Sequence, residues 1–410
     1  MRRKRIVNRK KRYLWVLLLL LAFVVALLYF LRQGPQIKRI LTKTPHPAEK
    51  FVTKPISKAS IILLENFFDS QNARGIFNGA FLVGRNDSIY MEKSYGYANY
   101  RQKTPINGTT AFQLASVSKQ FTAVSILILK ERKLLKLSDP VQKFFPDFPY
   151  PGVTIELLLE HRSGLPNYIY FGDAAIKDKA TPVTNSFIVT LMGSMKPPVY
   201  FPPGRSFNYS NTGYCVLAAI VERLSHMCFT EFVKKEIFVP VGMKNSGFAN
   251  PHPADSIQRA TGYNRGWNEA AFTFLDGVFG DKGIYATPSD MFRWDQGLYS
   301  GKIVSLASLD DAFQPRGMKA GGKKNYGFGW RMMKMDDNSK VLYHTGWWEG
   351  FQSLLLRIPK DHTTIVVLKN RRAGIIDKLA ILKIMYPGSF KGTKEGEGMM
   401  DEENEGGGER

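Results

Sequence analysis

The chain has 410 residues, of which 44% are apolar and 13% aromatic, and its formal net charge is +22 at pH 7. This length and composition exclude a mini-protein, a disordered chain and a collagen-like repeat, and they predict a globular body with a full hydrophobic core. Such an excess of positive charge would suit a nucleic acid or an anionic membrane as partner, so its position along the chain decides its meaning.

The first predicted element is a membrane anchor preceded by a dense basic segment. Eight Lys and Arg residues stand in residues 1–12, directly before an uncharged apolar run at 13–31. A helix over 14–31 would be about 27 Å long, close to the roughly 30 Å hydrocarbon thickness of a bilayer. The positive-inside rule then predicts residues 1–12 in the cytoplasm and the body on the outer side of the membrane. No small-residue cleavage site follows the run, which favours an uncleaved signal anchor over a secretory signal peptide.

Two further segments are predicted to lie outside the folded body. Residues 32–59 contain four prolines and seven bases, a composition typical of a stiff, solvated stalk. Residues 392–410 are rich in Gly and Glu and are predicted to form a disordered tail. Since residues 1–58 alone carry 15 basic residues and one acid, the densest charge is a topology signal, and nucleic acid is not an expected partner.

Residues 60–391 are predicted to form one folded domain, with strands near both ends and helices between them. Alternating apolar residues predict a hairpin at 79–97 that turns at Asn86-Asp87, and helical periodicity follows at 121–135. Short helical patterns separated by Gly and Pro occupy 153–299. The last part is predicted to contain strands at 326–332, 340–344, 352–358 and 363–368 and a closing helix at 373–384. This order predicts an α/β (α+β) fold in which helices flank an antiparallel sheet and a mostly helical subdomain is inserted, with a site at their boundary.

The first motif that could carry chemistry is Ser116-Val117-Ser118-Lys119. An apolar helical run follows it, so Ser116 is expected at a helix N-terminus with Lys119 one turn later on the same face. The Ser116 N–H could then bind an oxyanion, and a partly desolvated Lys119 could accept the Ser116 proton. A chain of this length contains about one Ser-x-x-Lys by chance, so a Ser cap followed by a solvated Lys is the alternative.

A second motif, Tyr209-Ser210-Asn211, lies in a polar turn before an apolar run. A phenol beside a Lys ammonium is expected to have a lowered pKa, which would allow Tyr209 to move a proton. The Asn211 amide could hold a substrate carbonyl and orient the Lys. A helix-cap cluster is the alternative interpretation.

A third motif, His344-Thr345-Gly346-Trp347, joins two predicted strands. Gly346 would let a substrate backbone approach the strand edge. The Trp347 N–H could be the second donor to an oxyanion.

In this order, Ser-x-x-Lys, Tyr-x-Asn and His-Thr-Gly resemble the serine β-lactamase and penicillin-binding-protein superfamily, specifically its class C β-lactamase-like branch. The resemblance covers roughly residues 60–385 and is supported by the stretches at 158–166, 201–204, 283–290, 326–330 and 350–359. It implies a β-lactamase/transpeptidase-like fold with a cleft beside the helical subdomain, no cofactor and a two-step acyl-enzyme mechanism.

The resemblance also implies a role for each residue in that mechanism. Ser116 would attack the carbonyl, while Lys119 and Tyr209 move the proton. The N–H groups of Ser116 and Trp347 would hold the oxyanion, and water activated by Tyr209 would release the acyl group.

His344 departs from the family's antibiotic-hydrolysing members, which usually carry Lys at this position. A His of ordinary pKa is mostly neutral near pH 7 and would bind a substrate carboxylate more weakly. Hydrolysis of esters or of peptides containing D-amino acids is therefore ranked above antibiotic hydrolysis. A β-lactamase or D,D-peptidase proper and a non-catalytic binding module remain open. The expected partners are a small-molecule or peptide substrate and the membrane.

Five polar residues near these motifs are expected to be structural or are left open. His161 is predicted to fix a turn, and Asp276, Asp281 and Asp290 are predicted to be turn or cap residues. Glu349 either lines the cleft or is a solvated loop acid.

Other kinds of chemistry find little support in the sequence. The two cysteines, Cys215 and Cys228, are too few for a disulfide scaffold and lie in apolar stretches, which favours buried free thiols over a bridge. The histidines show no H-x-H or H-E-x-x-H spacing, so no metal site is predicted. The chain also lacks the G-x-S-x-G motif of α/β-hydrolases.

Overall fold

The structure is a computed structural model that describes residues 55–249, 256–316 and 324–391. The predicted anchor at 13–31, the N-terminal part of the predicted stalk and the tail at 392–410 lie outside these residues. None of the helices within the three described ranges combines the length and the apolar character needed to cross a bilayer.

Strands from both ends of the chain form one antiparallel sheet of seven strands. In chain order the strands are β1 Gly79–Arg85, β2 Ser88–Tyr95, β3 Tyr97–Asn99, β4 Thr104–Pro105, β5 Phe112–Gln113, β6 Gly247–Phe248, β7 Ile284–Ala286, β8 Lys324–Tyr326, β9 Arg331–Lys334, β10 Lys340–Trp348, β11 Phe351–Ile358 and β12 Thr363–Lys369. The order in the large sheet is β2-β1-β12-β11-β10-β9-β8, and every pairing in it is antiparallel. This confirms the predicted antiparallel sheet made from distant parts of the chain.

The helices lie mainly in the middle of the chain. They are α1 Lys58–Ala73, α2 Lys119–Glu131, α3 Ile155–Leu159, α4 Tyr168–Ala175, α5 Asn185–Met195, α6 Asn211–Ser225, α7 Phe229–Val233, α8 Val239–Val241, α9 Pro288–Tyr299, α10 Leu306–Ala312 and α11 Lys378–Met385. The start of α1 is capped by Ser57, whose hydroxyl accepts from the Ser60 N–H, so this helix begins inside the segment predicted to be stalk.

Alternate residues of each strand supply two separate cores, because side chains point to opposite faces of a sheet. On β12, Val366 and Leu368 belong to a large core with residues of α2, α6 and α9, whereas Ile365 and Val367 belong to a second core with α1 and α11. Leu114 and Val117, on either side of Ser116, are in the large core. The candidate nucleophile therefore lies on the face of the sheet that carries the helical subdomain.

Three local predictions were wrong in detail. The strand predicted at 326–332 is two strands, because Gly329 has φ +85° and the Gly327 N–H donates to the Trp330 carbonyl to form a turn between them. The closing helix begins at Lys378 rather than at 373, where the Asp377 carboxylate caps it. Both cysteines are free as predicted, but only Cys215 is buried, since Cys228 lies exposed at the start of α7.

Candidate active site

Ser116 lies half-buried in a short 3-10 turn directly before α2. The preceding residue, Ala115, has φ +46°, a left-handed conformation that costs an L-residue roughly 1–2 kcal/mol. Two contacts hold this turn against the sheet: the Leu114 N–H donates to the Ile284 carbonyl at 2.7 Å, and the Ser353 hydroxyl donates to the Leu114 carbonyl at 2.6 Å. Strain maintained by surrounding contacts is typical of functional sites.

Lys119, the first residue of α2, points at Ser116 from a fully buried position. Its Nζ lies 3.1 Å from the Ser116 hydroxyl, 2.8 Å from the Asn211 amide oxygen and 3.0 Å from the Asp281 carbonyl oxygen. The last two groups can only accept hydrogen bonds. A neutral Lys119 therefore donates its two N–H groups to these two oxygens and directs its lone pair at the Ser116 hydroxyl, as a general base requires.

The charge state of Lys119 suits this role. Burial is the main cause that lowers its pKa to about 7, and the nearby Lys282 and Arg331 add to the lowering while Asp281 opposes it. A large fraction of the amine is therefore neutral near pH 7 and can take the Ser116 proton.

Tyr209 lies beside Lys119 in the loop before α6, with its ring centre 4.8 Å from Lys119 Nζ. Its hydroxyl is buried and has no hydrogen-bond partner among the described residues. Burial raises the pKa of Tyr209 well above its ordinary value, and the contribution of Ser116, which lowers it, is smaller. The prediction of a lowered Tyr209 pKa was therefore wrong, since burial acts on the phenol more strongly than its neighbours do. Tyr209 therefore keeps its proton and can donate it. Lys119, whose pKa is lowered to about 7, is the group that can accept a proton.

His161 holds the loop that carries Tyr209. Its ring Nδ1 accepts the Ser210 N–H at 3.0 Å, and its ring centre lies 4.3 Å from that of Tyr209. Burial, followed by the charge of Lys119, keeps the pKa of His161 well below its ordinary value, so the ring is neutral. His161 thus has a structural role, as predicted, and the loop that it holds is the one that carries Tyr209 into the candidate site.

β10 approaches the Ser116 turn at Gly346, where a side chain would not fit. A Cβ at this position would lie 2.3 Å from the Leu114 carbonyl oxygen, 2.3 Å from the Ser353 hydroxyl and 3.0 Å from the Ser116 nitrogen. The next residue on β10 is Trp347, the predicted second oxyanion donor. β9 pairs with β10 only at 340–343, so residues 344–348 have no partner strand on that edge within the described ranges.

His344 does not face a substrate in the way the sequence suggested. It is completely buried; its Nδ1 donates to the Thr345 carbonyl at 2.5 Å, and its Nε2 accepts from the Tyr326 hydroxyl at 3.0 Å. Burial and the charges of Arg331 and Lys119 hold the pKa of His344 well below its ordinary value. His344 is thus a neutral support for the strand, and the predicted direct contact with substrate is corrected. The Thr345 hydroxyl is buried and has no partner in the described part of the chain.

Two charged residues of the site were not predicted from the sequence. The Arg331 guanidinium lies 5.2 Å from the Tyr209 ring and affects both Lys119 and His344 electrostatically. Asp281, predicted to be a turn or cap residue, lies in a bend before β7, but its side chain is buried at the site and its Oδ2 accepts from the Tyr168 hydroxyl at 2.8 Å. Neither residue belongs to a spaced motif, so only the fold brings it to Ser116.

The remaining acids have separate positions. Asp276 caps a 3-10 turn as predicted and also accepts from Trp348 Nε1 at 2.9 Å, and Asp290 accepts from the Asn245 N–H at 2.6 Å. Glu349 is not a solvated loop acid, because its Oε1 is buried with no hydrogen-bond partner among the described residues; this burial, followed by the nearby Asp276, raises its pKa to about 9. In the described ranges, no three His, Cys, Asp or Glu side chains are grouped in a way that could hold a metal ion.

Comparisons with known proteins find relatives in both sequence and structure. The sequence model of the Beta-lactamase family matches residues 64–380. Penicillin-binding protein 4* of Bacillus subtilis (strain 168) is 34% identical over 336 residues, which cover 78% of this chain and 74% of that protein. A penicillin-binding protein from Bacillus halodurans has a similar structure, with a TM-score of 0.69, 25% identity and coverage of 81% of this chain and 100% of that one. A D-amino acid amidase from Ochrobactrum anthropi SV3 shares the fold at a TM-score of 0.66 and 22% identity, over 77% of this chain and 93% of that one.

Proposed function

This chain belongs to the β-lactamase family of serine hydrolases, and we propose that it acts through a Ser116 acyl-enzyme on esters or on peptides that contain D-amino acids. The observation that carries the proposal is the position of the buried Lys119 Nζ, 3.1 Å from the Ser116 hydroxyl and within hydrogen-bond distance of two further acceptors, which leaves the lone pair of a neutral amine for Ser116. The order of its motifs and the buried Tyr209 favour the class C β-lactamase-like branch.

In the acylation step, Ser116 Oγ attacks the substrate carbonyl carbon as its proton passes to Lys119. The carbonyl oxygen becomes an oxyanion, which the N–H groups of Ser116 and Trp347 hold. The protonated Tyr209 donates its proton to the leaving group and regains one from Lys119. This leaves an ester on Ser116 and a neutral Lys119.

In the deacylation step, a water molecule replaces the leaving group and follows the same path in reverse. Its proton passes by way of the Tyr209 hydroxyl to Lys119, so Tyr209 relays the proton and Lys119 is the final base. The hydroxide attacks the ester carbon, and Ser116 regains its proton from Lys119 as the acid departs.

The surroundings of His344 favour esters and peptides over β-lactam antibiotics as substrates. A neutral His with no exposed surface supplies no cation to an anionic antibiotic. A D,D-peptidase or β-lactamase is the second candidate, because Arg331 lies beside Tyr209 and could bind a substrate carboxylate. Two relatives from Bacillus subtilis that carry the name penicillin-binding protein also support this second candidate.

A substrate panel tests the proposal and ranks these candidates. The full chain is assayed with chromogenic esters, D-Ala-D-Ala peptides, amides of D-amino acids and cephalosporins, beside the Ser116→Ala variant. We expect turnover of esters or D-peptides that disappears in Ser116→Ala. If the intact chain turns over none of these substrates, the hydrolase proposal fails and a binding module remains.

The membrane topology is a separate part of the proposal. The basic residues at 1–12 and the apolar run at 13–31 support an uncleaved anchor, with the catalytic domain on the outer side of a bacterial plasma membrane. Alkaline phosphatase fused after residue 59 should be active in a bacterial host, and the chain should stay in the membrane fraction after carbonate extraction. An inactive fusion, or release of the chain by carbonate, would contradict this topology.

A further inference from the structure

Beneath Lys119 lies a buried network of opposite charges that the acylation mechanism does not use. The Asp281 and Lys282 side chains are 1% and 4% exposed, and their charged atoms are 3.6 Å apart. The Tyr168 hydroxyl joins them, since it donates to Asp281 Oδ2 at 2.8 Å and accepts from Lys282 Nζ at 2.5 Å. The second Asp281 oxygen, Oδ1, is buried with no hydrogen-bond partner among the described residues.

The same segment of chain is fastened to α2 at two successive carbonyls. The Asp281 carbonyl accepts from Lys119 Nζ at 3.0 Å, and the Gly280 carbonyl accepts from the Thr122 hydroxyl at 2.7 Å. Any movement of Asp281 would therefore shift an acceptor that directs the Lys119 lone pair at Ser116.

A buried ion pair is seldom retained for stability alone. Removing two charges from water costs several kcal/mol per ion, and well-packed apolar residues can often replace such a pair without loss of stability. Here the pair lies against the proposed general base.

We propose that Asp281 and Lys282, joined by Tyr168, form a positioning element that fixes the Lys119 amine and balances the charge around it. Asp281 stabilises the ammonium form of Lys119, whereas Lys282 destabilises it. This inference rests on the proposed function of Lys119 as the base. Asp281, Lys282 and Tyr168 would act through Lys119 and would not touch the substrate.

The charges that set the pKa of Lys119 come from a few of the titratable groups around it. Arg331 lowers the pKa of Lys119, as Lys282 does, and Asp281 raises it. The neutral groups that face Lys119 or lie close to it come from several elements: the rings of Tyr209 and Tyr214 at 4.8 and 5.8 Å, and His161 and His344, which are uncharged because burial lowers their pKa.

Two single substitutions test the inference through shifts of opposite sign. In Asp281→Asn the ammonium loses its stabilising partner, so the pKa of Lys119 falls and the acid limb of kcat/KM moves to lower pH. In Lys282→Met the repelling charge is lost, so the limb moves to higher pH. We expect each shift to be about one pH unit. Tyr168→Phe keeps both charges, so it should lower kcat/KM with a smaller shift of the limb.

The controls and a second readout keep the result interpretable. Asp173→Asn and Lys179→Met remove the two members of an exposed ion pair in the helical subdomain, 2.7 Å apart, and should leave the limb unchanged. The pKa of Lys119 is also measured without catalysis, by ¹³C NMR titration of labelled lysines assigned with Lys119→Gln. The inference would be overturned if the acid limb of kcat/KM and the NMR titration of Lys119 stayed in place, or if they shifted in the same direction in Asp281→Asn and Lys282→Met. Opposite NMR shifts in a chain that hydrolyses no substrate would support the network and contradict only the proposed function.

Discussion

The most informative single substitution is Asn211→Asp, which places a carboxylate where an amide oxygen now lies 2.8 Å from Lys119 Nζ. Burial holds the pKa of Lys119 at about 7 instead of 10.5. At pH 7 roughly half of the lysine is then neutral, compared with about one molecule in 3000 at the ordinary value, a difference worth about 5 kcal/mol. An opposite charge at this distance raises the pKa of a lysine by about 1–3 units. The neutral fraction at pH 7 should therefore fall by about 5- to 500-fold.

The assay is the rate of acylation by a chromogenic ester between pH 6 and pH 10. The wild-type rate should rise with an apparent pKa near 7, and the Asn211→Asp rate should rise at correspondingly higher pH and recover there. Asn167→Asp is the matched control, since Asn167 caps α4 without contacting Lys119. A loss of activity in Asn211→Asp that is equal at every pH would refute the assignment of Lys119 as the base.

Three further predictions address other parts of the site. Tyr209→Phe should lower kcat by about 10²–10⁴ with the fold intact by circular dichroism, and an unchanged rate would remove Tyr209 from the proton path. His344→Lys should lower the melting temperature, because it buries a cation near Arg331 and Lys119, and should not improve KM for anionic β-lactams; a lower KM would show that His344 does reach the substrate. The unfolded chain releases the Glu349 proton near pH 4.5, whereas the folded state keeps it to higher pH. The free energy of unfolding of the wild type therefore falls as pH rises above 4.5. Glu349→Gln should therefore gain in denaturant stability relative to wild type with rising pH, by at most about 1.4 kcal/mol per pH unit, and a constant difference would contradict a raised Glu349 pKa.

Periodicity and turn chemistry predicted the elements that depend on local sequence. The hairpin at Asn86-Asp87 forms because both residues accept positive φ, and alternating apolar residues predicted strands near both ends of the chain. The break between β8 and β9 was missed because it depends on the φ of one residue, Gly329, within an otherwise strand-like run.

The motifs predicted which residues the fold brings together, and the sequence also predicted a desolvated Lys119 and a neutral His344, but the predicted pKa shift of Tyr209 had the wrong direction. Ser116, Lys119 and Asn211 meet as their spacing and order suggested. The pKa values of Tyr209 and His344 depend on burial from several elements, which sequence spacing does not reveal. At Tyr209, proximity to the Lys119 charge suggested the wrong direction, since desolvation is the largest cause of its pKa shift.

The buried partners of the site could not have been found from spacing alone. Asp281 and Arg331 lie just outside the supporting stretches at 283–290 and 326–330, and His161 lies inside the stretch at 158–166, but spacing within these stretches assigns none of the three a role beside Ser116. In the sequence, the adjacent charges of Asp281 and Lys282 suggest an exposed loop, because charged residues are seldom fully buried.

The central claim is that Ser116 forms a covalent acyl-enzyme. The full chain is incubated with a fluorophosphonate or a slowly hydrolysed ester, digested and mapped by mass spectrometry, beside Ser116→Ala and the matched control Ser118→Ala. We predict one adduct on the peptide that contains Ser116, lost in Ser116→Ala and retained at Ser116 in Ser118→Ala. An adduct on another residue, or labelling that persists in Ser116→Ala, would contradict the account.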